Sequence, residues 1–235
     1  MARVTFRFLT GLKRNIFTSA QLTGSWNEQR QHSTDWSAPI SMQPIIAEDG
    51  CPAFKADVEL QGNNGQQFCW GVIVSTATGQ NIWGIMPEVH DRNSNRRVRT
   101  FVLQSGTPQT VDYFLCHARR VGAQKLYLNP PAADLSNSKP AIRFIVWAPN
   151  ARQVDVVMAK TWDLDNPQRV GGSLNVEKIA GGYIDPANID VEYPMVAIGD
   201  GYWATEPTRP DLASFEKFDH RPYMYKVTCD DGVVR

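Results

Sequence analysis

No apolar run in the chain approaches the roughly 18 residues that a membrane span needs. Net charge is missing too. The 24 basic and 24 acidic side chains cancel, which leaves no electrostatic footprint for nucleic acid or an anionic membrane. The first nine residues, Met1 to Leu9, hold neither a continuous apolar core nor a small-residue cleavage site, so they do not read as a secretory signal. Cysteine is scarce: Cys51, Cys69, Cys116 and Cys229 share no metal-ligand spacing and read as reduced thiols of a cytoplasmic protein. His32, His117 and His220 are isolated. Glu88-Val-His-Asp91 sets carboxylates beside an imidazole, but close neighbours on a short loop cannot face one ion, so a solvated loop is the reading. No Gly-x-Ser-x-Gly elbow, phosphate loop or dinucleotide fingerprint occurs. No metal and no cofactor are expected.

What is present is a pattern of period two. With 42% hydrophobic residues in 235, the chain can bury cores. At about 100–150 residues per domain it suggests two modest domains, with one large sandwich as the main rival. Val4, Phe6 and Phe8 alternate with Thr5 and Arg7; Ile16 to Leu22, Phe54 to Leu60, Phe68 to Val74, Asn81 to Ile85 and Val98 to Leu103 continue the series. The local run Arg92, Arg96, Arg97 and Arg99 reads as a solvated edge strand protected by its charges. Thr107-Pro108 then fits a helix start, with Val111, Phe114, Leu115, Ala118 and Val121 at helical spacing and Gly122 as a stop. Asn129 to Pro140 is rich in Pro, Ser and Asn and reads as a linker.

Strand alternation restarts with Ile142, Phe144 and Val146 on one face, then Val154 to Met158, Tyr202 to Thr205 and Tyr223 to Cys229. Asp230-Asp-Gly232 is a tight-turn signal at which the chain reads as cut from something longer. The expected fold is therefore all-β: two antiparallel immunoglobulin-like sandwiches over residues 1–106 and 140–235, joined by a short helix and a Pro-rich linker over 107–139.

Seven tryptophans stand out in this frame. A flat aromatic ring beside amide or charged groups can stack on one face of a ligand and hydrogen-bond its polar rim. Trp26 follows Gly24-Ser25 and precedes the polar Asn27-Glu-Gln-Arg30; Trp83 sits in a short Gly-flanked segment. Both settings suit exposure, against the general tendency of tryptophan to be buried. Trp36, Trp70 and Trp147 lie within strand patterns and read as core, and Trp203 as packed.

Two stretches carry a family likeness. Ala141-Ile-Arg-Phe-Ile-Val-Trp-Ala-Pro-Asn-Ala151, with Gly201-Tyr-Trp-Ala204 and Tyr223-Met-Tyr225 ahead of Asp231-Gly232, resembles a family-48 carbohydrate-binding module over roughly Pro140 to Arg235. That early-set sandwich precedes the barrel in enzymes of the α-amylase superfamily (glycoside hydrolase family 13). The first half is similar, less closely, to a family-20 starch-binding module. The likeness runs through Val4-Thr-Phe6, Leu22-Thr-Gly-Ser-Trp26, Trp36 to Met42, Phe68 to Val74, Asn81-Ile-Trp-Gly84 and Asn93-Ser-Asn-Arg96. The resemblance implies Trp26 and Trp83 as stacking platforms and Asn95 as a polar clamp, with Trp162 as a platform in the second module. It departs at Gly71, where the family has a lysine.

Glycoside chemistry needs two carboxylates about 5–10 Å apart, in this superfamily on a barrel of about 250 residues. Nothing here alternates strand and helix, so no catalytic residue is expected in the chain. The resemblance implies a non-catalytic region that binds α-1,4/α-1,6-glucan (starch, glycogen or maltooligosaccharide) beside a downstream catalytic barrel, first of all in a glucan branching enzyme. A debranching or amylolytic hydrolase is the alternative parent. Modules that only dock, without binding sugar, or a regulatory scaffold, are the other readings.

Overall fold

A computed structural model of the chain describes residues 1–86, 97–117, 120–130, 135–159, 189–219, 221–229, 232 and 234. They form two units, Met1–Ala118 with Asn129–Ser136, and Arg119–Leu128 with Asn137–Arg235. Among the described residues all of the long elements are strands.

The first unit contains β1 (Ala2–Leu9), β2 (Phe17–Gly24), β3 (Ile40–Ser41), β4 (Gln43–Ile46), β5 (Pro52–Leu60), β6 (Gln67–Thr76), β7 (Asn81–Trp83), β8 (Arg99–Val102) and β9 (Gln109–Phe114). One sheet runs β4-β5-β1-β9; the other runs β3-β2-β6-β7, with β8 also paired to β6. Alternation decides which side chains meet between them. Val4, Phe6 and Phe8 of β1, Leu22 of β2, Phe54 and Val58 of β5, and Phe68, Trp70, Val72 and Val74 of β6 are all buried. Each such side chain contributes about 1.5–3 kcal/mol by leaving water. Phe6 sits at the centre, with ring centroids of Trp70, Phe101 and Trp26 at 5.1, 5.4 and 5.8 Å. On the outer face of β1, Asp57 of β5 accepts from Thr5 and pairs with Arg3 and Lys55. The Thr5 hydrogen bond first, then Lys55 and Arg3, holds the Asp57 carboxyl below the usual carboxylate range.

The helix expected after Thr107 is not formed. Residues Gln109–Phe114 are β9, which lies parallel to β1 from Val4 opposite Gln109 to Leu9 opposite Phe114. Val111, Tyr113 and Leu115 pack on the core, a period of two that outcompetes the helical spacing because the edge of β1 supplies six backbone partners. Asp112 points the other way and takes a two-pronged bond from Arg7, Nε to Oδ1 at 2.7 Å and Nη2 to Oδ2 at 2.6 Å. Gly122, expected as a helix stop, instead opens a strand.

The second unit contains β10 (Gly122–Leu126), β11 (Ala141–Trp147), β12 (Ala151–Ala159), β13 (Ile189–Pro194), β14 (Val196–Gly199), β15 (Tyr202–Ala204) and β16 (Tyr223–Cys229). One sheet runs β10-β11-β15-β14 and the other β13-β12-β16. Ile142 and Phe144 meet Val154, Val156 and Met158 between them, joined by Leu212 and Phe218 from two 3-10 turns. Two phenols of β16 cross from one sheet to the other: Tyr225 donates to the Ile145 carbonyl at 2.9 Å, and the Ala123 N–H donates to the Tyr223 oxygen at 3.1 Å. Burial pushes the Tyr225 phenol well above its ordinary value. After Cys229, Gly232 takes the left-handed region and its N–H donates to the Cys229 carbonyl.

Candidate functional site

Trp26, expected as an exposed platform, is sealed: its side chain is 0% exposed. Strand β2 ends at Gly24, whose α-carbon faces the core opposite Trp70. The Trp26 ring folds back over it, so that a β-carbon on Gly24 would stand 2.0 Å from Cζ3 of the indole. The indole N–H donates to the Ala38 carbonyl at 3.1 Å. The polar residues that suggested exposure form a tight turn closing over the ring. In that turn the Asn27 N–H bonds to the Gln31 carbonyl, Arg30 adopts φ 62°, and the Arg30 guanidinium shares the Ala38 carbonyl. Their polarity faces water while the tryptophan faces in.

Trp83 is placed differently. On β6, Phe68, Trp70, Val72 and Val74 point into the core, so Cys69, Gly71, Ile73 and Ser75 line the outer face of the sheet. Trp83 stands opposite Ile73 and shares that face. Its six-membered ring lies on Gly71, with Cζ3 2.7 Å from where a β-carbon would be. The residue is 37% exposed. Glycine at position 71, where the resembled family has lysine, is thus the floor on which this ring rests. Along the same face runs a polar chain: Ser19 donates to Ser75 at 3.0 Å, and Ser75 donates to the Asn81 carboxamide oxygen at 2.7 Å. Gln21 is exposed beside them. A flat ring with hydroxyls and an amide on one open sheet face is the combination a saccharide needs. Asn95 and Trp162 lie outside the described residues, as does Glu88-Val-His-Asp91. Of the other expected residues, only Trp26 is described, and it lies in the core rather than beside Trp83; Asn81, which the sequence reading passed over, supplies the neighbouring amide. Arg99, from the basic run, stacks its guanidinium over Tyr113 at 5.3 Å and donates to the Met86 carbonyl.

The core reading of Trp147 is also overturned. It is 59% exposed, because Ile142, Phe144 and Val146 take the inward positions of β11 and leave Trp147 on the opposite face. The signal was in the alternation itself. Trp203 packs on the second core as expected, its indole donating to the Ala148 carbonyl at 3.1 Å. Among the described residues no cluster of His, Cys, Asp and Glu could hold a metal ion, and no helix is long and apolar enough to cross a membrane.

No protein-family model matches this chain. No curated protein matches it either. Solved structures do show similarity. A pneumococcal multi-modular glycogen-degrading virulence factor, in a product complex, aligns at 11% identity and a TM-score of 0.28, covering 99% of this chain and 26% of that one. A Group B Streptococcus pullulanase aligns at 12% identity and 0.25, covering 97% and 21%. A tip fimbrial protein of Porphyromonas gingivalis aligns at 9% identity and 0.27, covering 100% and 80%. The chain spans about a quarter of the length of the first of these and a fifth of the second. At such scores the likeness carries no argument about what this chain does.

Proposed function

We propose that the chain is a non-catalytic α-glucan-binding region of a larger α-amylase-superfamily enzyme, and that its first unit holds the polymer on the outer face around Trp83. One observation carries the reading: a tryptophan ring laid on a glycine floor, part open to water, beside the Ser19–Ser75–Asn81 chain. The sequence resemblance to starch- and glycogen-binding modules supports it from the other side. The ring offers its π-face to the C–H face of glucose, and Asn81 and Gln21 serve the hydroxyl rim. The parent is a branching enzyme on this reading, with a debranching or amylolytic hydrolase as the alternative. The module acts by raising the local concentration of polymer at a downstream barrel.

A shallow, wet site of this kind binds at roughly 0.1–1 mM. Calorimetric titration of maltoheptaose into the chain is expected to give a saturable heat that Trp83→Ala reduces and Trp26→Phe leaves in place. The sealing of Trp26 favours a second reading, in which the unit is only a structural support. Absence of any heat with the wild-type chain decides for that one.

A further inference from the structure

Trp147 is a large aromatic side chain left mostly in water. Its surroundings are built rather than incidental. The indole N–H donates to the Asp200 carbonyl at 3.1 Å, so the ring is held in one orientation and its polar atom is already satisfied. That carbonyl is presented by a turn in which Gly199, Asp200 and Gly201 all take left-handed angles, φ 97°, 50° and 78°. For Asp200, which has a side chain, this conformation is costly, and such cost concentrates at working sites. Gly201 admits no side chain: a β-carbon there would stand 2.8 Å from Cβ of Pro149 and 3.2 Å from Nε1 of Trp147. The same turn is tied to its neighbour by the Ala148 N–H on the Gly201 carbonyl at 2.8 Å and by the Trp203 indole on the Ala148 carbonyl at 3.1 Å.

The ring does not stand alone. Tyr202 is directly opposite Trp147 in the β11–β15 pair and lies on the same outer face. The Arg120 guanidinium stacks over the Tyr202 ring at 4.5 Å. Next along the register is Gly199, where a β-carbon would meet nothing within 4 Å, so the flank of Tyr202 stays open. Asp200 and Asn150 are exposed in the two tied turns. The patch thus combines a pinned, hydrogen-bond-satisfied ring with a guanidinium, a carboxylate and a carboxamide in the adjoining segments.

We infer that Trp147 is a second pyranose-stacking platform, in the second unit, for α-linked glucose chains. The indole takes the C–H face of one ring, and Arg120, Asp200 and Asn150 serve its hydroxyls as donor, acceptor and both. A purely apolar partner surface fits this less well, because the Arg120 guanidinium on the neighbouring Tyr202 and the exposed Asp200 of the adjoining turn would have to be desolvated. The choice of an α-glucan as ligand rests on the function proposed above, but the site is independent of Trp83.

The test follows the indole N–H resonances of the full chain by NMR, assigned through single Trp→Phe variants, during titration with maltoheptaose. The expected result is a saturable shift of the Trp147 resonance in the wild type and equally in Trp83→Ala. Trp147→Ala should weaken the binding that remains in Trp83→Ala by roughly three- to tenfold, while Trp147→Phe keeps most of it. Because the ring is exposed, thermal melting of both Trp147 variants should stay near the wild type. If the Trp83 resonance moves and that of Trp147 does not, the second platform is overturned and the first stands. Movement of Trp147 alone upholds this platform and removes the first. If neither moves, both platforms fall.

Discussion

Two glycines decide the fate of two tryptophans. Gly24 lies on the inward face of β2, so the ring of Trp26 that folds over it enters the core; Gly71 lies on the outward face of β6, so the ring of Trp83 that rests on it faces water. Parity along the strand, more than the polarity of neighbours, separates a structural indole from a binding one. For Trp83 that parity was legible in Phe68, Trp70 and Val72 flanking Gly71; for Trp26 it was hidden, because the ring lies two residues past the end of the alternation, under a turn. The consequence for stability is asymmetric. Trp26→Ala empties a fully buried site and is expected to cost about 3–5 kcal/mol, while Gly24→Ala drives a methyl into the same ring at a cost of about 1–3 kcal/mol. Trp83→Ala should stay within about 1 kcal/mol. Urea unfolding midpoints of the three variants check the order; a Trp26→Ala variant as stable as Trp83→Ala would refute the sealed indole.

At the scale of elements, the strands with unbroken alternation were readable, and β1, β5, β6, β11 and β12 lie where the pattern put them. One misread element is β9. Its Val111, Phe114, Leu115 and Ala118 fit a helical stripe, while Val111, Tyr113 and Leu115 fit a strand equally well. Local pattern could not arbitrate, since the decisive partner is β1, about a hundred residues earlier, and the pairing is parallel. The Arg7–Asp112 pair fastens that junction, and the Asp112 hydrogen bond is the main cause of the raised Arg7 pKa. A two-pronged, half-buried pair of this kind is worth about 1 kcal/mol. A double-mutant cycle of Arg7→Met and Asp112→Asn by chemical unfolding should return a coupling of that size. A helix over this segment predicts none, because Arg7 and Asp112 would not be opposed.

For the whole molecule, the arrangement of strands matters more than the composition of the joining segment. The sequence reading treated residues 107–139 as one helix-and-linker piece, yet the compact units share it out: β9 goes to the first, β10 to the second. β10 is short and only partly apolar, and nothing in Gly122-Ala-Gln-Lys-Leu126 announces a strand. Its role becomes visible in its partners, five residue pairs with β11 and the Tyr223 oxygen that receives the Ala123 N–H. The second sandwich is therefore incomplete if it begins at the linker. A fragment of residues 140–235 loses an edge of one sheet and strands one of its two cross-sheet phenols. A fragment of residues 120–235 keeps both. The longer piece is expected to melt cooperatively and at least about 10 °C higher, since a few kcal/mol shifts a domain of this size by that much. Tyr223→Phe should narrow the gap by destabilising the longer fragment more than the shorter, in which the Ala123 partner is already gone. Equal melting of the two fragments would mean that β10 contributes nothing to the second unit, and the strand order assigned to that sheet would have to be abandoned.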